Sequence, residues 1–158
     1  MQKEKIQEYT RRISQDNRTE LIVTMYDIMI TYMEDAKVAF NSQDNVAFKE
    51  NIRAVDRVLV QLIESLNFKY QPADTLYSLY VYCREELANS MAKHDLEGFN
   101  HAKKVLCGLR EGFAEAAKKD TSEPLMRNTE QIYAGMTYGK NDVNENYNAS
   151  DTKRGFFV

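Results

Sequence analysis

The chain has 158 residues, long enough to bury on the order of two-thirds of its unfolded surface, so it needs neither disulfides nor a metal to stay folded. Hydrophobic residues make up 43% and charged residues 28%, as in soluble globular proteins, while six Gly and two Pro are too few for a turn-rich sandwich or barrel. The net charge of −3, with no long Lys or Arg run, argues against a nucleic-acid footprint.

Residues 1–16 read as an N-terminal arm. Tyr9 and Ile13 stand four apart, so a helical arm would carry both on one face. A first long helix is expected over 18–40, capped by Asn17 with Glu20 three residues on, a capping-box pair. The polar run Asn41–Asn45 breaks the chain. The next helix spaces Phe48, Ile52, Val55, Leu59, Leu62 and Leu66 at alternating steps of four and three, a core stripe. Residues 67–72 end it, because the residue before Pro72 is biased away from helix.

A third helix is expected over 73–93, with Leu76, Tyr80, Cys83, Leu87 and Met91 on one face. Asp95 is positioned to cap a fourth over 96–119, which stacks Phe99, Ala102, Leu106, Leu109 and Phe113. Gly108 and Gly112 inside it each cost about 1 kcal/mol relative to Ala, so a close helix–helix approach is expected there. A shift of fifty-one residues pairs Phe48 with Phe99 and Tyr26 with Tyr77, an echo that any two helical hairpins share. Short links between long helices predict an all-α fold, an antiparallel up-down-up-down four-helix bundle over 17–119. Residues 120–158 show no sustained periodicity and read as an extended tail or surface-hugging arm, whose closest-spaced apolar group, Ile132, Tyr133 and Met136, is expected to dock on the bundle.

Chemistry is sparse. A di-iron bundle needs two Glu-x-x-His pairs, and neither His94 nor His101 has a Glu three positions before it. Cys83 and Cys107 lack metal-ligand spacing, and Cys83 falls on a core stripe where a thiol is structural. There is no phosphate loop, nucleophile elbow or zinc-protease motif. The expectation is no enzyme and no cofactor. The charged start MQKEKIQEYTRR and the absence of an apolar run of roughly 20 residues argue against a secretory signal and against membrane insertion, which points to a reduced cytoplasmic chain.

The unusual feature is surplus apolar surface. Between Leu21 and Met33 only Thr24, Asp27 and Thr31 are not apolar, one narrow polar stripe, so this helix should be covered on nearly all sides. Leu21, Ile22, Met25 and Tyr26 on it are candidate lining of a partner groove. So are Val58 and Ile63 on the second helix and Tyr77, Tyr80 and Val81 on the third, with Tyr9 and Ile13 of the arm. The alternative is that these residues pack against the arm and tail and are simply core.

These residues carry a resemblance. Tyr9 in the arm, ELIVTMYD (Glu20–Asp27), DTLYSLYVYCREEL (Asp74–Leu87) and LREGFAEAAK (Leu109–Lys118) occur in the order and spacing of the FliS family of flagellar secretion chaperones, with Phe113 in its aromatic place. Asn17-Arg18-Thr19 departs from the Ser-Pro-Glu with which many members begin the first helix, and Tyr9 sits one residue closer to that helix than the family pattern has it. The resemblance implies a cytoplasmic export chaperone. It would bind the disordered C-terminal region of flagellin, prevent premature polymerisation and deliver its client to the export apparatus. The implied partners are flagellin, an export-gate component and other flagellar regulators. The resemblance also implies that the arm, through Tyr9, is a movable cover over part of the client groove. Two anchors contribute on the order of 3–6 kcal/mol gross, whereas fixing the backbone costs about 1 kcal/mol or more per residue. Unless the arm gains further hydrogen bonds, it should be weakly held. The rival reading is a structural homo-oligomer or adaptor whose apolar faces meet copies of themselves.

Overall fold

The computed structural model describes residues 1–126. Within them lie five helices and no strand: α1 (Lys3–Gln15), α2 (Arg18–Asn41), α3 (Asn45–Glu64), α4 (Ala73–Lys93) and α5 (Glu97–Lys119). The arm is thus itself a helix.

Local chemistry sets the boundaries. Asn17 Oδ1 accepts from the amides of Thr19 (3.1 Å) and Glu20 (2.9 Å), while the Asn17 amide donates to Glu20 Oε2 (2.9 Å). This is the reciprocal capping box read from the sequence. At the next break Gln43 adopts φ 59°, and Asp44 Oδ1 accepts from the Ala47 amide to start α3. α4 stops where His94 enters the left-handed region at φ 54°. Asp95 is not the N-cap of α5; Leu96 holds that position, and Asp95 Oδ1 instead accepts from the Glu97 amide at 3.1 Å.

α2 packs against α3 and α5, α4 packs against α3 and α5, and α1 lies on α2. One core fills the space between α2, α3, α4 and α5. The expected stripes supply it, with Phe48, Ile52, Val55, Leu59, Phe99, Ala102 and Leu106 all fully buried. Met29, Met33 and Ala36 of α2 join them, so the apolar run on α2 is core through its middle. In the fifty-one-residue echo Phe48 and Phe99 are equivalent in burial, but Tyr26 is fully buried while its counterpart Tyr77 is 44% exposed.

Tyr26 pairs instead with Tyr80. Their hydroxyls meet 2.6 Å apart across the core, between the diagonal helices α2 and α4, and both side chains are enclosed. Burial pushes both phenols up from their ordinary value, and for Tyr26 the neighbouring Tyr80 adds to the effect. Deleting one hydroxyl would strand the other, a loss of about 1–3 kcal/mol.

The close approach expected at Gly108 and Gly112 is absent, since a Cβ at either would meet nothing within 4 Å. It occurs at Gly98, where a Cβ would come 2.3 Å from the Glu86 carbonyl oxygen, backbone against backbone between α5 and α4. Gly98→Ala should therefore destabilise the protein, because α4 and α5 must part to admit the methyl group. Gly108→Ala should stabilise it by about 0.5–1 kcal/mol through helix propensity alone. Urea unfolding of the two variants checks the contrast; a stabilised Gly98→Ala or a destabilised Gly108→Ala would contradict it.

Candidate partner-binding groove and its surroundings

An open apolar groove of about 430 Å³ lies between the start of α2, the end of α3 and the start of α4. Leu21, Ile22 and Met25 form one wall, Leu62 and Leu66 another, and Tyr70, Pro72 and Leu76 a third. Phe113 and Tyr80 line it as well, and Leu125 reaches it from beyond α5. Arg18 is the charged residue among the described lining. Phe68 and Tyr77 stack edge to face at 5.9 Å nearby in sequence and are 56% and 44% exposed, as is Tyr70 at 70%, so the α3–α4 link adds aromatic surface.

The candidates from the sequence divide. Leu21, Ile22 and Met25 are half-buried and line the groove. Tyr80 contributes to its lining from a buried position. Tyr26 is wholly enclosed beside Phe113 (ring centroids 5.5 Å) and offers a partner no surface. Val58 and Ile63 pack partly buried on the core. Tyr77 is exposed, and Val81 lines a separate, more polar hollow with Arg53, Asp56 and Arg84, where Arg84 Nε and Nη2 donate to Asp56 at 2.5 and 3.2 Å.

The arm sits elsewhere. No side chain of α1 lines the groove; α1 lies along the polar stripe of α2. Tyr9, 6% exposed, places its hydroxyl 3.2 Å from the Asp27 carbonyl, to which it donates, and 2.7 Å from Thr31 Oγ1. Arg12 Nη2 donates to Asp27 Oδ2 at 2.8 Å, and its guanidinium lies 5.6 Å from the Tyr9 ring centroid. Thr24 Oγ1 donates to Asp16 Oδ2 at 2.5 Å. From α5, Arg110 Nε donates to Asp27 Oδ1 at 2.8 Å, and this bond holds the Arg110 pKa above its ordinary value. The three polar residues of the stripe thus all bind the arm, and the further hydrogen bonds that a firmly held arm requires are present. Ile13 is half-buried on the same helix.

A second strap closes over the α1–α2 junction. The Asn17 Nδ2 amine donates to the carbonyls of Asp120 (3.3 Å) and Ser122 (3.4 Å), Thr19 Oγ1 donates to Asp120 Oδ2 (2.5 Å), and the Leu125 amide donates to the Asp16 carbonyl (3.1 Å). The chain leaving α5 is thereby led to the groove. Hydrogen bonds from Ser122, then Thr19, hold the Asp120 carboxyl down to about 2.

Burial pushes the Cys83 thiol up to about 12, which keeps it protonated and unreactive. Among the described residues no group of three or more His, Cys, Asp or Glu could hold a metal, and no helix is long and apolar enough to cross a membrane.

A family model described as flagellar protein FliS matches residues 1–120. The chain belongs to the FliS family of flagellar proteins. The match spans all five helices and the start of the strap, so in this FliS-family chain the arm, the Asp27 contacts and every groove residue except Leu125 lie within the shared region. No curated protein matches the chain.

Sequence reasoning missed Tyr70, Pro72 and Leu125 as groove residues and assigned Leu66, Leu76 and Phe113 to core stripes. The available signal was the pair of aromatics in the link Asn67-Phe68-Lys69-Tyr70-Gln71, which polar punctuation alone does not need. The double use of Asn17, as cap acceptor and strap donor, gives a direct test. Asn17→Asp keeps the cap but loses both donors, so the Leu125 amide should exchange faster while α2 stays protected. Acid should weaken the same strap. The Asp120 pKa is depressed, so its contribution is intact above about pH 4 and is lost as pH falls through about 2. Unchanged Leu125 exchange in the variant, or Thr19 and Ser122 amide shifts that titrate at the ordinary carboxylate value of 3.8, would contradict this account.

Proposed function

We propose that the protein is a cytoplasmic export chaperone that binds the disordered C-terminal region of flagellin, blocks its premature polymerisation and hands it to the flagellar export apparatus. FliS-family membership supports the flagellar chaperone role, and the apolar groove of α2, α3 and α4 is the observation that carries the client reading. The working unit is an antiparallel up-down-up-down bundle over 17–119, flanked by the arm 1–16 and the tail 120–158. The short α2–α3 and α4–α5 links and the packing of α2 and α4 each on both α3 and α5 support that topology.

A client segment with an apolar stripe is an aggregation hazard while free, and folding as a helix into a groove replaces the burial it later finds in a filament. Leu21, Ile22, Met25, Leu66 and Leu76 supply the apolar contact. Tyr70, with a flat ring and a polar tip, suits an exposed anchor at the rim. Ordering the client opposes association, so tight binding demands a broad interface, which the aromatics of the α3–α4 link extend. An export-gate component and other flagellar regulators are the further partners of this reading.

Mixing the protein with a peptide of the flagellin C-terminal region should give a far-ultraviolet circular dichroism signal more helical than the sum of the separate spectra. Tyr70→Ala should weaken binding about tenfold, ~1.4 kcal/mol, with little change in thermal stability because the side chain is solvent-exposed. Additive spectra with confirmed binding would refute folding on binding, and full affinity in both Tyr70→Ala and Ile22→Asp would refute the groove as the client site.

A further inference from the structure

Arg18 is the first residue of α2, and Arg18, Leu21, Ile22 and Met25 fall at i, i+3, i+4 and i+7 on one face of that helix. That face is the α2 wall of the groove, and all four residues line it. The apolar wall therefore ends in a guanidinium, set about 6 Å along the helix from Ile22 and about 10 Å from Met25. The other polar lining, Ser65, Asn67 and Gln71, is uncharged.

Arg18 is exposed and, among the described residues, forms no ion pair. The carboxylates gathered at the α1–α2 junction are engaged elsewhere. Asp16 accepts from Thr24, Glu20 from the Asn17 amide, and Asp120 from Thr19 and Ser122. A cation in the first turn of a helix also opposes the helix dipole, so the stability of α2 does not call for it. The tail group expected to dock on the bundle, Ile132, Tyr133 and Met136, lies outside the described residues.

We propose that Arg18 is a specificity-determining residue of the groove. It holds an Asp or Glu side chain of the client helix that packs on Leu21, Ile22 and Met25. The pairing rests on the client reading above and narrows it to a pattern. The client carries an acidic residue three or four positions from its apolar anchors on one helical face, the spacing that brings carboxylate and anchors to this wall together. Apolar contact alone accepts an amphipathic helix in several registers, whereas a carboxylate met by the guanidinium fork selects one. At the rim the pair stays partly solvated, so it adds discrimination and association rate more than affinity.

The test titrates the full chain with a peptide of the flagellin C-terminal region at low and at high salt. Arg18→Gln should weaken binding about fivefold and flatten its salt dependence, with thermal stability unchanged. One Asp→Asn or Glu→Gln change in the peptide should cost the unmodified protein about the same and cost Arg18→Gln nothing further. Arg18→Glu should weaken binding more, and replacing that same peptide acid by Lys should recover it. Equal losses from the peptide change in both proteins would overturn the proposal, as would a loss that follows amidation of the peptide's C-terminal carboxylate instead. Ile22→Asp separates this pairing from the groove itself. If Ile22→Asp abolishes binding while Arg18→Gln and Arg18→Glu bind fully, the groove stands and the pairing is wrong. Full binding in all three variants refutes the groove as the client site, and the pairing with it.

Discussion

The Asp27 carboxylate receives Arg12 of α1 on one oxygen and Arg110 of α5 on the other, each at 2.8 Å, on a side chain only 17% exposed. Around it the Tyr9 hydroxyl and Thr31 close onto the Asp27 carbonyl. Partial burial makes such charge-assisted bonds stronger than surface ion pairs, on the order of 1.5–3 kcal/mol each. Their number is what offsets the entropy of ordering α1, a cost that two apolar anchors alone would not meet. One carboxylate between two guanidiniums also makes the site intolerant of change, because removing it leaves two cations facing each other.

Fastening α1 to this stripe determines what the rest of α2 can do. α2 is apolar nearly all round, and three of its sides are taken by α1, α3 and α5. The turn of α2 carrying Leu21, Ile22 and Met25 escapes because α3 ends at Glu64 and the link to α4 swings past it through Tyr70 and Pro72. The groove is thus a gap at one end of the molecule where the four-helix packing runs out. Its floor is made rigid by the Tyr26–Tyr80 hydrogen bond beneath it.

Core stripes and several helix boundaries were legible in the sequence because they depend on nearest-neighbour chemistry: the Asn17–Glu20 box, the break before Pro72, and the four-three spacing from Phe48 to Leu62. The polar stripe Thr24-Asp27-Thr31 was visible too, but not the element that binds it. It marks the docking site of the arm, since Arg12 and Arg110 lie fifteen positions before and eighty-three after Asp27, a convergence that no local pattern encodes. The same limit hid Gly98, whose requirement comes from the Glu86 carbonyl on another helix, and placed Tyr26 on a surface when its partner was Tyr80. Leu125 joined the groove only through bonds that span more than a hundred residues.

The central claim is that α1 is a fixed part of the fold, held at Asp27 and separate from the groove. Native-state hydrogen exchange of the amides in residues 9–15 tests it most directly. The account predicts protection well above that of a fraying terminus in the unmodified protein. In Asp27→Ala these amides should exchange rapidly while those of α3 and α4 remain protected. Fast exchange in the unmodified protein, or undiminished protection in Asp27→Ala, would contradict it.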